Sequence, residues 1–399
     1  MTNRISTAGM HSASVSAILE AQVKLAKIQD QVSTGKKFQT AAEDPIGATR
    51  YAGLQRKLAD NAQYGRNSNV IEGRLSYEEQ TLSDVTSMLQ SVRDSALSGV
   101  NATLSQDERK MLANQVRQNL ASLVDMSNRQ DSNGEYLFSG TSTSTQPFAQ
   151  GVSGIVYQGD QTTRQFRIGD TQSLADVHTG ADAFMGITGG NGVFSTAVSA
   201  ANTGDATIDT GTVLNNSAWV PGNYTLQFTS ATDWQVVDGA TPTPNVVASG
   251  TGFASGQSIS FLGVSVKVTG TPAANDSFGI TPAQNTDIFS MLDQLASTLE
   301  SGGSDAAFQA QMGASITNLD AALDHVSNVR AQVGTRLQAI DTASNFRDTE
   351  AVDLQGLISN VRDVDYASAV SQLSQQSTTL QAAQAAYSKI AKLSLFDYL

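Results

Sequence analysis

Residues 312–361 read MGASITNLDAALDHVSNVRAQVGTRLQAIDTASNFRDTEAVDLQGLISNV. The apolar residues Met312, Ile316, Leu319, Leu323, Val326, Val333, Leu337, Ile340, Leu354, Ile358 and Val361 advance by alternating steps of four and three. Arg330, Ser344, Arg347 and Ala351 fill the remaining places of the same seven-residue repeat. No proline interrupts it, and Gly313, Gly334 and Gly356 fall off the seam. A repeat sustained this long predicts a narrow coiled-coil stripe, not one face of a short helix. At 1.5 Å per residue, the stretch spans about 75 Å as one helix. Such a helix needs partners along its whole length, and the rest of the chain is read as their source.

Upstream, an amphipathic segment from His11 to Ser33 carries Ile18, Leu25 and Val32 every seventh residue and stops at Gly35, a residue suited to the left-handed helix end. Asp44-Pro45 reads as an N-cap and first-turn proline. The helix they open carries Leu54 and Leu58, has Gly65 and Gly73 as places to bend, and continues through Ile71, Leu75, Leu82, Val85, Leu89 and Val92. Ser105-Gln106-Asp107-Glu108 is a capping box, and its helix is predicted to run to Asn133-Gly134. Helix resumes at Thr286-Asp287, with Ile288, Leu292, Leu295 and Leu299 on one face, and breaks at residues 301–304. Beyond Asp363-Val364-Asp365, residues 366–388 contain no charged side chain, while Tyr366, Leu373, Leu380 and Tyr387 repeat at seven with Ile390 beside them. Solvated helices normally carry alternating charge, so this polar, uncharged face suits either contact with other helices or a neutral water-filled lining.

The middle differs. Six of the seven prolines and both tryptophans lie between Pro147 and Pro282. Period-two segments at 155–157, 165–168, 224–228, 234–236 and 264–268, bounded by turns such as Pro221-Gly222, predict antiparallel strands. The expected class is α+β: an elongated helical bundle, or coiled-coil rod, formed by the N- and C-terminal segments, with an inserted antiparallel β-rich domain. The expected domains are residues 1–44 with 362–399 (terminal helices), 45–188 with 283–361 (helical rod, with a small β element near 135–170), and 189–282 (β-rich outer domain).

Charge and composition narrow the function classes. Net charge is −13, and residues 1–140, 141–285 and 286–399 carry 15 basic against 15 acidic, 3 against 9, and 6 against 13 side chains. No segment is net basic, so no nucleic-acid surface is expected. No apolar run reaches membrane-spanning length, no cleaved leader is visible, and cysteine is absent. His11, His178 and His325 lie far apart without metal-ligand spacing, Asp363 and Asp365 read as helix-terminus carboxylates, and Gly189-Gly190-Asn191-Gly192 as a loop. No nucleophile, base and oxyanion set assembles. The expectation is a non-enzyme with no cofactor or metal.

Amphipathic helices at both ends, a helical bundle inside them and a β insertion make an out-and-back chain. In that plan it resembles the flagellin-like axial proteins. Asn3-Arg4-Ile5-Ser6-Thr7 is similar to that family's opening. Val32-Ser33-Thr34-Gly35-Lys36-Lys37 with Ala42-Glu43-Asp44-Pro45 resembles its Ser-Ser-Gly-Lys and Asp-Asp-Pro signature, with Thr34 and Glu43 as departures. Asp44-Pro45, Gly134-Glu135-Tyr136-Leu137-Phe138-Ser139-Gly140-Thr141 and Tyr157-Gln158-Gly159-Asp160 are closest to the family's hook–filament junction branch; Asp363-Val364-Asp365-Tyr366-Ala367 is shared more widely. The resemblance implies a structural subunit between hook-associated protein 1 and flagellin, self-associated in a ring and exported with a flagellar chaperone. Its terminal helices would form the inner tube, and Ile18, Leu25, Val32, Tyr366, Leu373, Leu380, Tyr387 and Ile390 would be the intersubunit stripes. A minor flagellin, or a secreted adhesin-like tip protein, is the alternative.

Overall fold

The computed structural model describes residues 7–392 apart from 102, 153, 200, 241, 242 and 302–305. The class is α+β. The helices are α1 (Thr7–Thr34), α2 (Pro45–Gly99), α3 (Gln106–Ser127), α4 (Gly180–Phe184), α5 (Ile288–Ser301), α6 (Ala306–Arg362) and α7 (Tyr366–Lys392), with an antiparallel β domain between α4 and α5. The chain forms two compact units, one of Met1–Arg66 with Ala343–Leu399 and one of Asn67–Thr342. Of the opening motif, residues 3–6 lie outside the described residues, as does most of the break at 301–304.

Burial along α6 follows the seven-residue repeat. In the second unit, Met312, Leu319, Val326, Val333 and Ile340 are buried, and Ile316, Leu323, Arg330 and Leu337 are half-buried. In the first unit the same rows continue as buried Arg347 and Leu354 and half-buried Ser344, Ala351, Ile358 and Val361. Gly313, Gly334 and Gly356 face solvent. The partner stripe is α2, where Ile71, Leu75, Leu82, Val85, Leu89 and Val92 are fully buried. Antiparallel side-chain contacts tie the two helices within the second unit: Arg93 Nε to Asp320 Oδ1 at 2.5 Å and Arg330 Nη2 to Glu79 Oε1 at 2.6 Å. Neither Gly65 nor Gly73 interrupts α2, because each glycine costs only about 1 kcal/mol in a helix, which a long buried seam outweighs.

The capping box forms: Ser105 Oγ accepts from the Glu108 N–H, and Glu108 Oε2 accepts from the Ser105 N–H at 2.7 Å. Arg117 joins α3 to α5 through Glu300 (2.7 Å) and Asp293 (2.8 Å). α3 ends at Ser127, earlier than the expected Asn133-Gly134. The Asn128 carboxamide there donates to the Phe148 carbonyl and accepts from its N–H, both at 2.9 Å, so it pairs with a strand instead of extending the helix. The loop beyond brings Asp131 and Glu135 to Arg74 on α2. Arg74, Asp131 and Asp176 are buried together, with Arg74 Nε 3.1 Å from Asp176 and Arg164 bridging Asp176 (2.8 Å) and Glu135 (3.1 Å). Desolvated charges are tolerated because each has an opposite partner.

The 134–141 and 157–160 motifs meet. Gly140 has φ +68°, and a Cβ there would sit 2.4 Å from the Asp160 carbonyl oxygen. The Asp160 carboxylate accepts from the hydroxyl and N–H of Thr141, the Thr162 N–H and Ser142 Oγ, which hold its pKa down at about 2. Tyr157 Oη lies 2.7 Å from the Asp160 carbonyl, and burial pushes its pKa up to about 12.

In the β domain, a five-stranded antiparallel sheet runs in the spatial order Val246–Gly250, Trp234–Asp238, Tyr224–Phe228, Ser277–Pro282, Phe194–Val198. A second sheet is centred on Val264–Thr269, paired with Ser258–Phe261, Thr207–Ile208 and Thr212–Val213. Alternation puts Tyr224, Leu226 and Phe228 from one sheet and Val264, Val266 and Val268 from the other into one core with Phe194, Phe278 and Ile280. Phe228 is fully buried, its ring centroid 5.0 Å from that of Phe253 and 6.1 Å from that of Phe278. Phe228→Ala should therefore cost about 3–5 kcal/mol. Both tryptophans lie in this domain, so the denaturant midpoint read by tryptophan fluorescence should fall. The helical circular dichroism transition should move far less; equal shifts would mean that the β core and the helices unfold as one.

Candidate assembly interface

α1 packs along α7 within the first unit. The inward face of α1 is Ser14, Ile18, Ala21, Leu25, Ile28 and Val32, and that of α7 is Ala369, Leu373, Gln376, Leu380, Ala383 and Tyr387; all are buried or half-buried. Both sets advance by steps of three and four, so each helix gives the other one coiled-coil stripe. Near one end, Tyr387 Oη lies 2.7 Å from His11 Nε2, and the two rings meet edge-on with centroids 4.9 Å apart. Six of the eight sequence-predicted residues, Ile18, Leu25, Val32, Leu373, Leu380 and Tyr387, are thus half-buried on these stripes. Tyr366 is exposed, and the side chain of Ile390 lies outside the described residues.

A second set of apolar side chains stays in solvent. On α1, Val15, Leu19 and Val23 are 36%, 56% and 70% exposed; on α7, Tyr366 and Val370 are 55% and 51% exposed. Val15, Leu19 and Val23 recur every four residues and so form a stripe on a face away from Ile18 and Leu25. A shallow groove beside the pair is lined by Lys24, Lys27, Gln31, Gln372, Gln375 and Gln376.

Where α1 gives way to α2, and α6 to α7, the two breaks are bonded to each other. Gly35 takes φ +72°, and its carbonyl accepts from the Val364 N–H at 2.9 Å; the Lys37 N–H donates to the Arg362 carbonyl at 2.6 Å. Lys36 and Asp363 form an isolated antiparallel bridge, and Lys37 Nζ reaches the Asn360 carbonyl at 2.5 Å. Asp365 Oδ1 accepts from the Ala367 N–H at 3.0 Å and so caps α7, while Asp44 Oδ1 accepts from the Gly47 N–H at 2.8 Å and caps α2. Arg362 stacks on the Tyr51 ring, 4.3 Å from its centroid, as a cation–π contact. The Gly35-Lys36-Lys37 and Asp363-Val364-Asp365 motifs, distant in sequence, are therefore one structural joint. Sequence reasoning read each as a local helix end; their pairing had no signal in either alone.

Of the histidines, His178 is buried with Nδ1 2.7 Å from Glu78 Oε1 and Nε2 3.2 Å from Gln332 Oε1. His325 Nε2 is 2.8 Å from the Asp182 carbonyl. Glu78 and His178 stand 100 residues apart, so spacing could not pair them. Among the described residues, no group of three His, Asp or Glu side chains is placed to hold a metal ion.

The joint yields a direct test. A Cβ on Gly35 would lie 2.7 Å from Tyr366 Oη, and the left-handed backbone itself costs an L-residue about 1–2 kcal/mol. Gly35→Ala should lower the urea midpoint of the helical signal. Adding Tyr366→Phe should recover the portion due to the hydroxyl and leave the backbone portion. An unchanged midpoint in Gly35→Ala would show that the joint does not hold this unit together.

Three stretches of the chain match known protein families. Residues 5–143 match the model of the bacterial flagellin N-terminal helical region, residues 316–399 that of the bacterial flagellin C-terminal helical region, and residues 197–282 that of a D2-like domain of flagellar hook-associated protein 1. The flagellar hook-associated protein 3 of Salmonella typhimurium is 33% identical over 185 residues, which is 46% of this chain and 58% of that protein. The Escherichia coli protein of the same name is 25% identical over 399 residues, covering 99% of each. The crystal structure of flagellar hook-associated protein 3 from Legionella pneumophila superposes with a TM-score of 0.71 at 32% identity, over 76% of this chain and 98% of that one. Matched across nearly the whole length of that structure, and carrying both flagellin helical regions, this chain belongs to the flagellar hook-associated protein 3 family.

Proposed function

We propose that the chain is a structural junction subunit of the flagellum, set between hook-associated protein 1 and flagellin and packed in a ring with copies of itself. The observation that carries this reading is the set of apolar side chains left exposed on α1 and α7. Val15, Leu19, Val23, Tyr366 and Val370 remain in solvent after the two helices have paired with each other. A helix that satisfies one stripe internally and keeps a second exposed is suited to neighbours. Residues 1–44 and 362–399 then line the inner tube, and residues 189–282 make the outer domain. Export occurs with a flagellar chaperone, and the role is structural, not catalytic.

Charge supports the same assignment of contacts. Met1–Arg66 with Ala343–Leu399 carries 13 basic and 11 acidic side chains, whereas Asn67–Thr342 carries 11 and 26. Copies packed through the near-neutral unit avoid the repulsion that the acidic unit would impose, and added salt, which screens that repulsion, should favour assembly.

The test is genetic. A strain lacking the protein should build hooks, make no attached filament and release flagellin into the medium. Complementation with Leu19→Asp and Val23→Asp together should restore secretion of the protein but not filament retention, because each copy would bring two carboxylates to an apolar contact. Both positions are exposed, so the purified variant should melt within a few degrees of the parent. Normal filaments from the secreted variant would remove this face from the interface; filaments in the deletion strain would remove the junction role.

A further inference from the structure

A seam that repeats every seven residues has a built-in ambiguity. If one helix slides by seven, about 10.5 Å, apolar side chains again meet apolar side chains along much of the seam. The buried row of α6 runs Met312, Leu319, Val326, Val333, Ile340, Arg347, Leu354, and Arg347, 6% exposed, is its one polar member. On α2, the buried row at the same spacing begins with Asn61, 8% exposed, and leads through Ser68 to Leu75, Leu82 and Leu89. The two polar positions meet. Asn61 Nδ2 donates to the Arg347 carbonyl at 3.1 Å and to Glu350 Oε2 at 3.0 Å. Gly65, one helical turn on, supplies room: a Cβ there would lie 3.9 Å from Arg347 Nε.

We infer that Asn61 and Arg347 determine the register of α2 against α6, by forming a polar layer that is satisfied in one alignment of the two helices only. A slip of seven residues brings the Asn61 carboxamide against Leu354 in one direction or Ile340 in the other. The Leu354 or Ile340 carbonyl can then replace that of Arg347, but Leu357 or Ala343 stands where Glu350 did, so the buried amide loses its carboxylate acceptor, and an unmade buried hydrogen bond is penalised far more than a made one is rewarded. Polar residues at single seam positions act in this way in coiled coils, fixing alignment at some expense of stability. Neither residue touches the exposed face of the α1–α7 pair, so the inference stands apart from the junction role.

The full-length chain has no cysteine, so two introduced cysteines are its only labelling sites. Arg50→Cys on α2 and Asn345→Cys on α6 are both exposed and sit well apart along the helix axis, where a slip changes their separation most. With a nitroxide on each, pulsed dipolar spectroscopy of the otherwise unchanged protein should give one distance. Asn61→Leu with Arg347→Leu should keep the helical signal and melt no lower than the parent. It should add a second distance, displaced by about 10 Å along the helix axis. One unchanged distance in that variant would overturn the proposal. Should the double variant not fold, Asn61→Leu alone gives the same readout: a second distance supports the assignment, and a single parental distance overturns it. A purely structural role for the pair would lower the melting temperature and leave the distance single, which also counts against a register function.

Discussion

The constraint on which this structure depends is that α2 and α6 are long helices whose apolar residues recur at seven-residue spacing and so need partners along their length. Beside its main row each helix buries a second one, Arg74, Thr81, Met88 and Ser95 on α2 and Ser315, Ala322 and Val329 on α6, so each meets more than one neighbour. Once these two are paired antiparallel, the chain must enter and leave at corresponding points. That accounts for why the breaks at residues 35–37 and 363–365 fall opposite one another and can be stitched by the Gly35–Val364 and Lys37–Arg362 backbone bonds. It also accounts for α1 and α7 running side by side: they are the continuations of two helices already in register. The β domain interrupts the path between the paired helices and brings its own core, built from two sheets and mainly aromatic and β-branched residues.

How far the sequence disclosed this varied with the kind of signal. Periodicity over dozens of residues is redundant, so the seam from Met312 to Val361 and its partner from Ile71 to Val92 could be read residue by residue. Local chemistry was readable wherever it closes on itself within a few positions, as in the Ser105–Glu108 box, Gly35 and Asp44-Pro45. The end of α3 was misplaced because its stop signal is not local: Asn128 terminates the helix by pairing with Phe148, a contact made twenty residues away. The Arg74, Asp131 and Asp176 cluster and the Glu78–His178 pair were invisible for the same reason. Residues so far apart are brought together by the fold, and nothing about their spacing marks them.

The candidate interface shows a subtler limit. The stripes through Ile18, Leu25, Val32 and through Leu373, Leu380, Tyr387 stood out in the sequence because they are the strongest repeats at the two ends. A repeat identifies a face that needs a partner, but it carries no information on whether that partner belongs to the same chain. Here α1 and α7 fill that need for each other. What remains exposed is Tyr366, one of the predicted stripe residues, with Val370 and the weaker pattern of Val15, Leu19 and Val23.

That ordering has a physical consequence for how such a subunit can exist both alone and in company. Were the dominant stripes open, two unpaired amphipathic ends would expose long apolar faces and associate with any similar surface. Pairing α1 with α7 satisfies the dominant stripes before any neighbour arrives, leaving scattered valines, a leucine and a tyrosine whose individual burial yields only a few kcal/mol. A contact that weak cannot hold a pair of copies together against the loss of translational and rotational freedom. In the ring proposed above, each copy would have neighbours on both sides, and the same contact would act many times while each added copy was held by more than one partner. On the proposed reading, a lone chain and a cooperative assembly are compatible in one sequence: strong seams would fix the subunit, and weak ones, used in number, the lattice.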